Sequence, residues 1–270
     1  MSWTLDEIPW DRFDRSRLDP EIVKLVKAAS LVEYNGAAYA HHLCRIFYDD
    51  GDFQESARRW GAEEIQHGNA LARWAKLADP EFEFEAAFER FQAGYRVDFD
   101  CATSRRGSRS GEMIARCMVE VGTSSYYAAL RDAVQEPVLK EICRNIAADE
   151  IRHYKLFYNN LTLCLERERI GLWRRLRVAV GRIAESQDDE LAYAYYAANE
   201  ATRAYERRRC SRAYAARAYR LCREHHVAHG VTLIFKAVGL DAHSLLARTA
   251  SRLAWRFIRF RATQLTKVNT

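Results

Sequence analysis

Two segments of this chain set a carboxylate and an imidazole three residues apart inside otherwise buried-looking helical sequence: WGAEEIQHGNAL, residues 60–71, and AADEIRHYKLF, residues 147–157. Residues three apart are neighbours on a helix surface, so Glu64 stands with His67 on one helical face and Glu150 with His153 on another. Nearby positions such as Ala147 and Ile146 are small or apolar, which turns the polar pair inward. A chain that repeats this pattern must be helical there, must bring the two faces together, and must neutralise the charge that it buries.

The rest of the sequence supplies the helices. Only 4 prolines and 12 glycines occur in 270 residues, 49% of the residues are apolar, and apolar positions recur at three- and four-residue spacing. That pattern predicts an all-α protein with a sizeable core. Asp19 and Pro20 read as N-cap and first turn of a helix reaching about Phe47. A second helix runs from about Phe53 to Ala78, and residues 79–111 form a long crossover with a short helix of its own. A third helix, led in by Ser108 to Ser110, ends before the Gln135-Glu136-Pro137 turn, and a fourth runs from Pro137 to about Glu168. Beyond a break at Gly171, helices are expected at about 172–186, 187–225, 228–238 and 242–264. Two short-looped hairpins joined by a long crossover have the connectivity of a ferritin-like four-helix bundle. The expected division is an N-terminal arm (1–19), the bundle (20–168) and additional, basic C-terminal helices packed on it (169–270).

Heights along such a bundle follow from a rise of about 1.5 Å per residue. Glu33 and Glu64 lie at similar distances on either side of the first turn, near Asp50, and Glu120 and Glu150 at similar distances about the second, near Glu136. All four carboxylates can meet in one layer with His67 and His153. Four unpaired buried carboxylates would be prohibitively costly, whereas two divalent cations balance them, and oxygen with imidazole donors suits two iron ions, or manganese. One Glu from each of two helices and Glu-x-x-His from each of the other two is the ligand set of ferritin-like di-iron carboxylate proteins.

Other features narrow the function. No window holds eighteen uncharged apolar residues and the start, MSWTLDEIPWDRFD, is too acidic and broken for a signal sequence, so a cytoplasmic protein is expected. The seven cysteines form no C-x-x-C pair and read as reduced structural thiols. The net charge of +5 is concentrated in RERIGLWRRLRVAVGR, RAYERRRCSR and RLAWRFIRFR, which suit an acidic partner or solvated helix faces. His225, His226 and His229 read as a solvated cluster, and His41 and His42 as interfacial or surface residues. No phosphate loop or nucleophile elbow is present, and no nucleic-acid partner is expected.

WGAEEIQHGNALARW and EICRNIAADEIRHYKLF resemble the two metal-binding segments of the soluble acyl-carrier-protein (acyl-ACP) desaturases, over about Ala28 to Leu165. The resemblance implies Glu33, Glu64, His67, Glu120, Glu150 and His153 as iron ligands, Trp60 and Asp149 at positions associated with electron transfer, and Thr123 beside the oxygen-binding position. It implies an O2-dependent di-iron oxidase desaturating a carrier-bound fatty acyl chain held in a hydrophobic channel. An external electron donor such as a ferredoxin, an acidic acyl carrier protein or other acyl thioester steered to a basic rim including Arg174, Arg175 and Arg177, and a homodimer complete the expectation. The chain departs from the family in LVEYNGAAY and MVEVGTSSYY around Glu33 and Glu120, in a compressed first hairpin, and in its basic C-terminal third. The alternatives are a di-iron oxygenase or hydroxylase acting on another hydrophobic substrate, and a ferroxidase using the same six ligands.

Overall fold

The computed structural model describes residues 3–95, 103–185 and 189–267. Among the described residues the chain is all-α, with no strand. Its core is a four-helix bundle assembled from α1 (Pro20–Tyr34) continued by α2 (Gly36–Ile46), α3 (Gly51–Ala78), α5 (Arg109–Ala133) and α6 (Pro137–Glu168), with the short α4 (Phe84–Gly94) in the crossover. α1 and α2 pack on α3, α5 packs on α6, and α3 closes against α6.

Side-chain caps set the helix starts. Asp19 accepts the Glu21 N–H at 2.8 Å beside Pro20, Asp50 accepts the Phe53 N–H at 3.0 Å, and Ser108 accepts the Gly111 N–H at 3.0 Å. Glu136 receives the N–H groups of Val138 and Leu139 at 3.2 and 2.8 Å and also Trp74 Nε1 at 2.6 Å, which ties the start of α6 to α3. Val26, Leu71, Trp74, Ile114, Leu130, Leu139, Ile142 and Phe157 are fully enclosed between these helices.

Two expected helices are divided. The first, expected from Pro20 to about Phe47, breaks at Asn35, whose N–H donates to Val32 O at 3.2 Å. The break falls where the helix meets α3 most closely: a Cβ on Gly36 would lie 2.2 Å from Glu64 Cβ, and one on Gly68 would lie 2.6 Å from Tyr34 N. Backbone thus approaches the Glu64 helix at the height of the Glu-x-x-His motif, a contact only glycine permits.

The helix expected over 187–225 is two, α8 (Asp189–Asn199) and α9 (Arg207–Leu221). A single helix of that length would extend about 58 Å, farther than any helix it could pack against. Instead α8 buries Ala192, Ala194, Tyr195, Ala197 and Ala198 against α1 and α4, Asn199 Nδ2 anchors its end on Lys24 O at 3.1 Å, and α9 folds back on α8. Residues 200–206 contain no Gly or Pro, so the turn has no local signature.

The remaining helices are α7 (Leu172–Glu185), packed on α5, α10 (Glu224–Val238), packed on α5 and α7, and α11 (Leu245–Lys267), packed on α9 and α10. The six cysteines among the described residues are free, and Cys101 lies outside them. No helix of the described residues is long and apolar enough to cross a membrane.

The N-terminal arm is held tightly. Three short 3-10 turns carry it over α3 and α6, with Asp14 N–H on Glu136 Oε1 at 3.1 Å, Arg15 on Leu77 O at 2.7 Å and Gln66 Nε2 on Trp3 O at 2.9 Å. Its first described residue, Trp3, is buried.

Candidate metal centre

The helices bring all six candidate ligands to one height. Glu33 ends α1, Glu64 and His67 lie mid-α3, Glu120 mid-α5, and Glu150 and His153 mid-α6; every one is buried. They form two overlapping nests: Glu33, Glu64, His67 and Glu150 in the first, and Glu64, Glu120, Glu150 and His153 in the second. Within each nest the candidate ligand atoms lie inside 4.8 Å of one another. Glu64 and Glu150 belong to both, so these two carboxylates sit between the nests while a Glu and a His flank each side.

Distances show how the donors converge. His67 Nδ1 is 3.6 Å from Glu33 Oε2, 3.4 Å from Glu150 Oε1 and 4.0 Å from Glu64 Oε2. His153 Nδ1 is 3.0 Å from Glu64 Oε1, 3.7 Å from Glu120 Oε2 and 3.8 Å from Glu150 Oε2. Glu33 Oε2, His67 Nδ1, Glu120 Oε1, Glu150 Oε1 and His153 Nδ1 are buried without a hydrogen-bond partner. Five such atoms in one cluster are expensive to leave unsatisfied. Their chemistry, carboxylate oxygen and imidazole nitrogen, is that of ligands for a hard to borderline divalent cation, so the residues fit two metal ions.

The imidazoles are held from behind. His67 Nε2 lies 3.0 Å from Asp149 Oδ2, and His153 Nε2 lies 2.7 Å from Glu63 Oε2. With each Nε2–H donated to a carboxylate, each Nδ1 faces the nest. The arrangement is crossed: the residue before Glu150 orients the histidine of α3, and the residue before Glu64 orients the histidine of α6. Arg152 bridges the two supports, 2.5 Å from Asp149 Oδ1 and 3.3 Å from Glu63 Oε2. Thr123 Oγ1 donates to Glu150 Oε2 at 2.6 Å and Tyr127 Oη donates to Glu33 Oε1 at 2.6 Å, fixing two further carboxylates.

Protonation follows from this crowding. Burial, then repulsion from Glu150 and Glu33, holds Glu64 well above the usual carboxylate range, and burial with repulsion from Glu150 and Glu64 does the same to Glu120. Against the burial that opposes it, Glu150 is held well below that range by the imidazoles of His153 and His67 that face it. Both histidines are raised well above the ordinary value despite burial, His67 by Asp149, Glu150 and Glu33 and His153 by Glu150, Glu63 and Glu64. The metal-free cluster therefore keeps protons where cations would otherwise sit.

The other candidates lie as follows. Asp149 is inside the cluster's supporting layer and Thr123 touches Glu150, whereas Trp60 is a core residue packed edge-on to Phe157 and His153, with ring centres 5.3 and 6.4 Å away and Nε1 unpartnered. The indole bonded to Asp149 belongs to Trp3, with Nε1 2.8 Å from Oδ2 and its ring parallel to His67 at 6.0 Å. Sequence reasoning missed Trp3, Glu63 and Arg152. Glu63 was legible, since a carboxylate directly precedes the ligand glutamate in both motifs, but nothing local marks Trp3.

Away from the centre, His226 is buried and its Nδ1 accepts the Arg223 N–H at 3.1 Å, so the proton sits on Nε2 and is donated to Asp132 Oδ2 at 3.0 Å. His225 Nε2 reaches the same oxygen at 3.4 Å. These residues clasp α10 to α5; the solvated cluster expected there applies to His225 and His229, which are exposed, and not to His226. On α7, Arg174 donates to Gly107 O at 2.7 Å and Arg175 packs against Gly239, so two arginines of the expected basic rim are engaged within the chain. Cavities of about 350 Å³ beside Asp49, Asp52 and Arg167 and about 90 Å³ beside Trp74 and Leu139 do not border the ligands. The expected apolar channel is at neither.

Residues 46–170 match the fatty acid desaturase family, a stretch that includes both Glu-x-x-His motifs and Glu120 but not Glu33. The chain is also 24% identical over 160 residues to the Mycobacterium tuberculosis protein named "Putative acyl-acyl-carrier-protein desaturase DesA2", in strain CDC 1551 / Oshkosh and in strain H37Rv. That match covers 58% of this chain and 55% of the relative. The family match spans both motif segments, and it is the relative's name that carries the acyl carrier protein.

Proposed function

We propose that the chain is an O2-dependent di-iron oxidase that desaturates a carrier-bound fatty acyl chain. The observation that carries this reading is the pair of nests sharing Glu64 and Glu150, with five buried donor atoms left unpartnered inside them. Glu33 and His67 would hold one iron and Glu120 and His153 the other, with Glu64 and Glu150 serving both. Bound iron would supply the oxidising chemistry, O2 with two electrons and two protons taking two hydrogens from adjacent methylenes to leave a double bond and two waters.

The protein's own residues set the conditions for that chemistry. Asp149 and Glu63 hold the two imidazoles in the orientation that presents Nδ1, and Thr123 holds the Glu150 oxygen that it touches, so the donors are arranged before any ligand arrives. Ring contacts from Trp60, Trp3 and Phe157 and the enclosure of all six ligands keep bulk water out. Trp3, Asp149 and His67 form one hydrogen-bonded line from the N-terminal arm into the first nest. We assign the entry of electrons to this line, with Trp60 serving as packing. An acyl-carrier-protein substrate belongs to the same proposal, supported by the name of the desaturase relative, and an external donor such as a ferredoxin and a cytoplasmic homodimer complete it.

The test is intact mass spectrometry of acyl carrier proteins after incubation with iron-loaded protein, O2 and a reduced ferredoxin. A loss of two hydrogens from an acyl chain is the expected result. A gain of one oxygen would make the protein a hydroxylase, and O2 consumption with an unchanged acyl chain would remove the acyl substrate from the account.

A further inference from the structure

The last helix presents a surface that the metal centre does not use. Between Leu245 and Lys267, α11 contains no acidic residue. One face packs inward through Ala247, with Ala250, Ala254 and Ile258 half-buried, against α9 and α10. The outward half is divided lengthwise. At 100° per residue, Leu246, Leu253, Phe257 and Phe260 fall in an arc of about 60°, and Arg248, Arg252, Arg256 and Arg259 in an adjoining arc of about 80°. The four apolar side chains are 61%, 59%, 55% and 59% exposed, and the four arginines are exposed beside them.

We propose that this face of α11 docks the protein on an anionic phospholipid surface, lying in the plane of the headgroups. Charge and shape both favour that occupant. A contiguous row of two leucines and two phenylalanines is an unusual load for water to carry, and burying it in the acyl boundary removes it from solvent. The arginine row alongside has long apolar stems that let the guanidinium groups reach anionic headgroups from a helix at this depth. A second copy of the chain is a poorer partner, because a two-fold pairing of this face would set arginine against arginine with no carboxylate in the helix to answer them. An acidic protein would satisfy the arginines and leave the apolar row less completely used. The attachment is peripheral, as no described helix can span a bilayer, and it does not depend on the reading of the metal centre.

The experiment is vesicle flotation of the full chain with phosphatidylcholine vesicles and with vesicles containing phosphatidylglycerol. Two surface variants are compared with the unaltered chain: Phe257→Ser with Phe260→Ser, and Arg252→Gln with Arg256→Gln. All four positions are exposed, so circular dichroism and melting should be unchanged. Binding to the anionic vesicles alone, weakened by salt, lost in the phenylalanine variant and reduced about thirtyfold in the arginine variant, is expected. No flotation with anionic vesicles, or flotation that both variants retain, would overturn the proposal. So would loss of self-association, or of binding to an acidic carrier protein, in the same variants without any vesicle binding by the unaltered chain.

Discussion

Glu63 and His153 belong to different motifs and different helices, yet Oε2 and Nε2 meet at 2.7 Å, and Asp149 and His67 repeat the relationship in the opposite direction at 3.0 Å. Each motif thus supplies a ligand pair to one nest and the support for the histidine of the other. The prediction is that Glu63→Gln and Asp149→Asn each weaken metal affinity by about 10- to 100-fold while the fold is kept. Competition with a chelator of known affinity measures it. Unchanged affinity in both variants would mean that the crossed supports do not orient the ligands.

The protonation pattern gives a second prediction. Glu64, Glu120, His67 and His153 are held above their ordinary values in the metal-free protein, so they retain protons that a bound cation must displace. Metal binding should release protons and tighten as pH rises. Calorimetry in buffers of different ionisation enthalpy reads the released protons directly. The sign for stability without metal is the reverse. These four groups bind more protons folded than unfolded above their ordinary values, so their contribution falls as pH rises through that range. Glu150, held low, gives a contribution lost only in acid. The chelator-treated protein should therefore melt lower as pH is raised from the ordinary carboxylate range past that of histidine.

Close backbone approach gives a third. Gly36→Ala puts a methyl group 2.2 Å from Glu64 Cβ and must push α2 away from α3. A loss of about 1–3 kcal/mol in stability, with reduced iron content, is expected. Gly181→Ala, in α7 with nothing within 4 Å of the added atom, should instead stabilise by about 0.5–1 kcal/mol. Denaturant unfolding of the two variants separates the specific collision from a general effect of removing glycine.

The fourth concerns the arm. Trp3→Phe removes the donor to Asp149 while keeping an aromatic ring against His67. Iron content should stay the same, and reduction of the oxidised centre by an external donor should slow. Trp60→Phe should leave that rate unchanged, since its Nε1 bonds nothing. Stopped-flow reduction under anaerobic conditions distinguishes them, and equal rates in all three proteins would remove Trp3 from the electron path.

The bundle was legible because its determinants are local and periodic: apolar spacing, the caps at Asp19 and Ser108, and a proline at the start of α6. The convergence of Glu33, Glu64, Glu120 and Glu150 followed from counting residues about two turns. What could not be read depended on distant packing. The break at Asn35 answers to the approach of α3, and the turn at 200–206 to the need of α8 to lie on α1 without overrunning the bundle. Trp3 sits 146 residues from Asp149, in an arm whose sequence looks irregular, and only the strap of contacts to α3 and α6 brings it there.

The central claim is that two nests sharing Glu64 and Glu150 hold two irons. The most direct measurement is iron per chain after anaerobic loading and desalting, joined to Mössbauer spectroscopy, for the unaltered protein and for Glu150→Ala. Two irons per chain, both lost when Glu150 is removed, is the result expected. One iron or none in the unaltered protein, or a full complement retained in the variant, would contradict it.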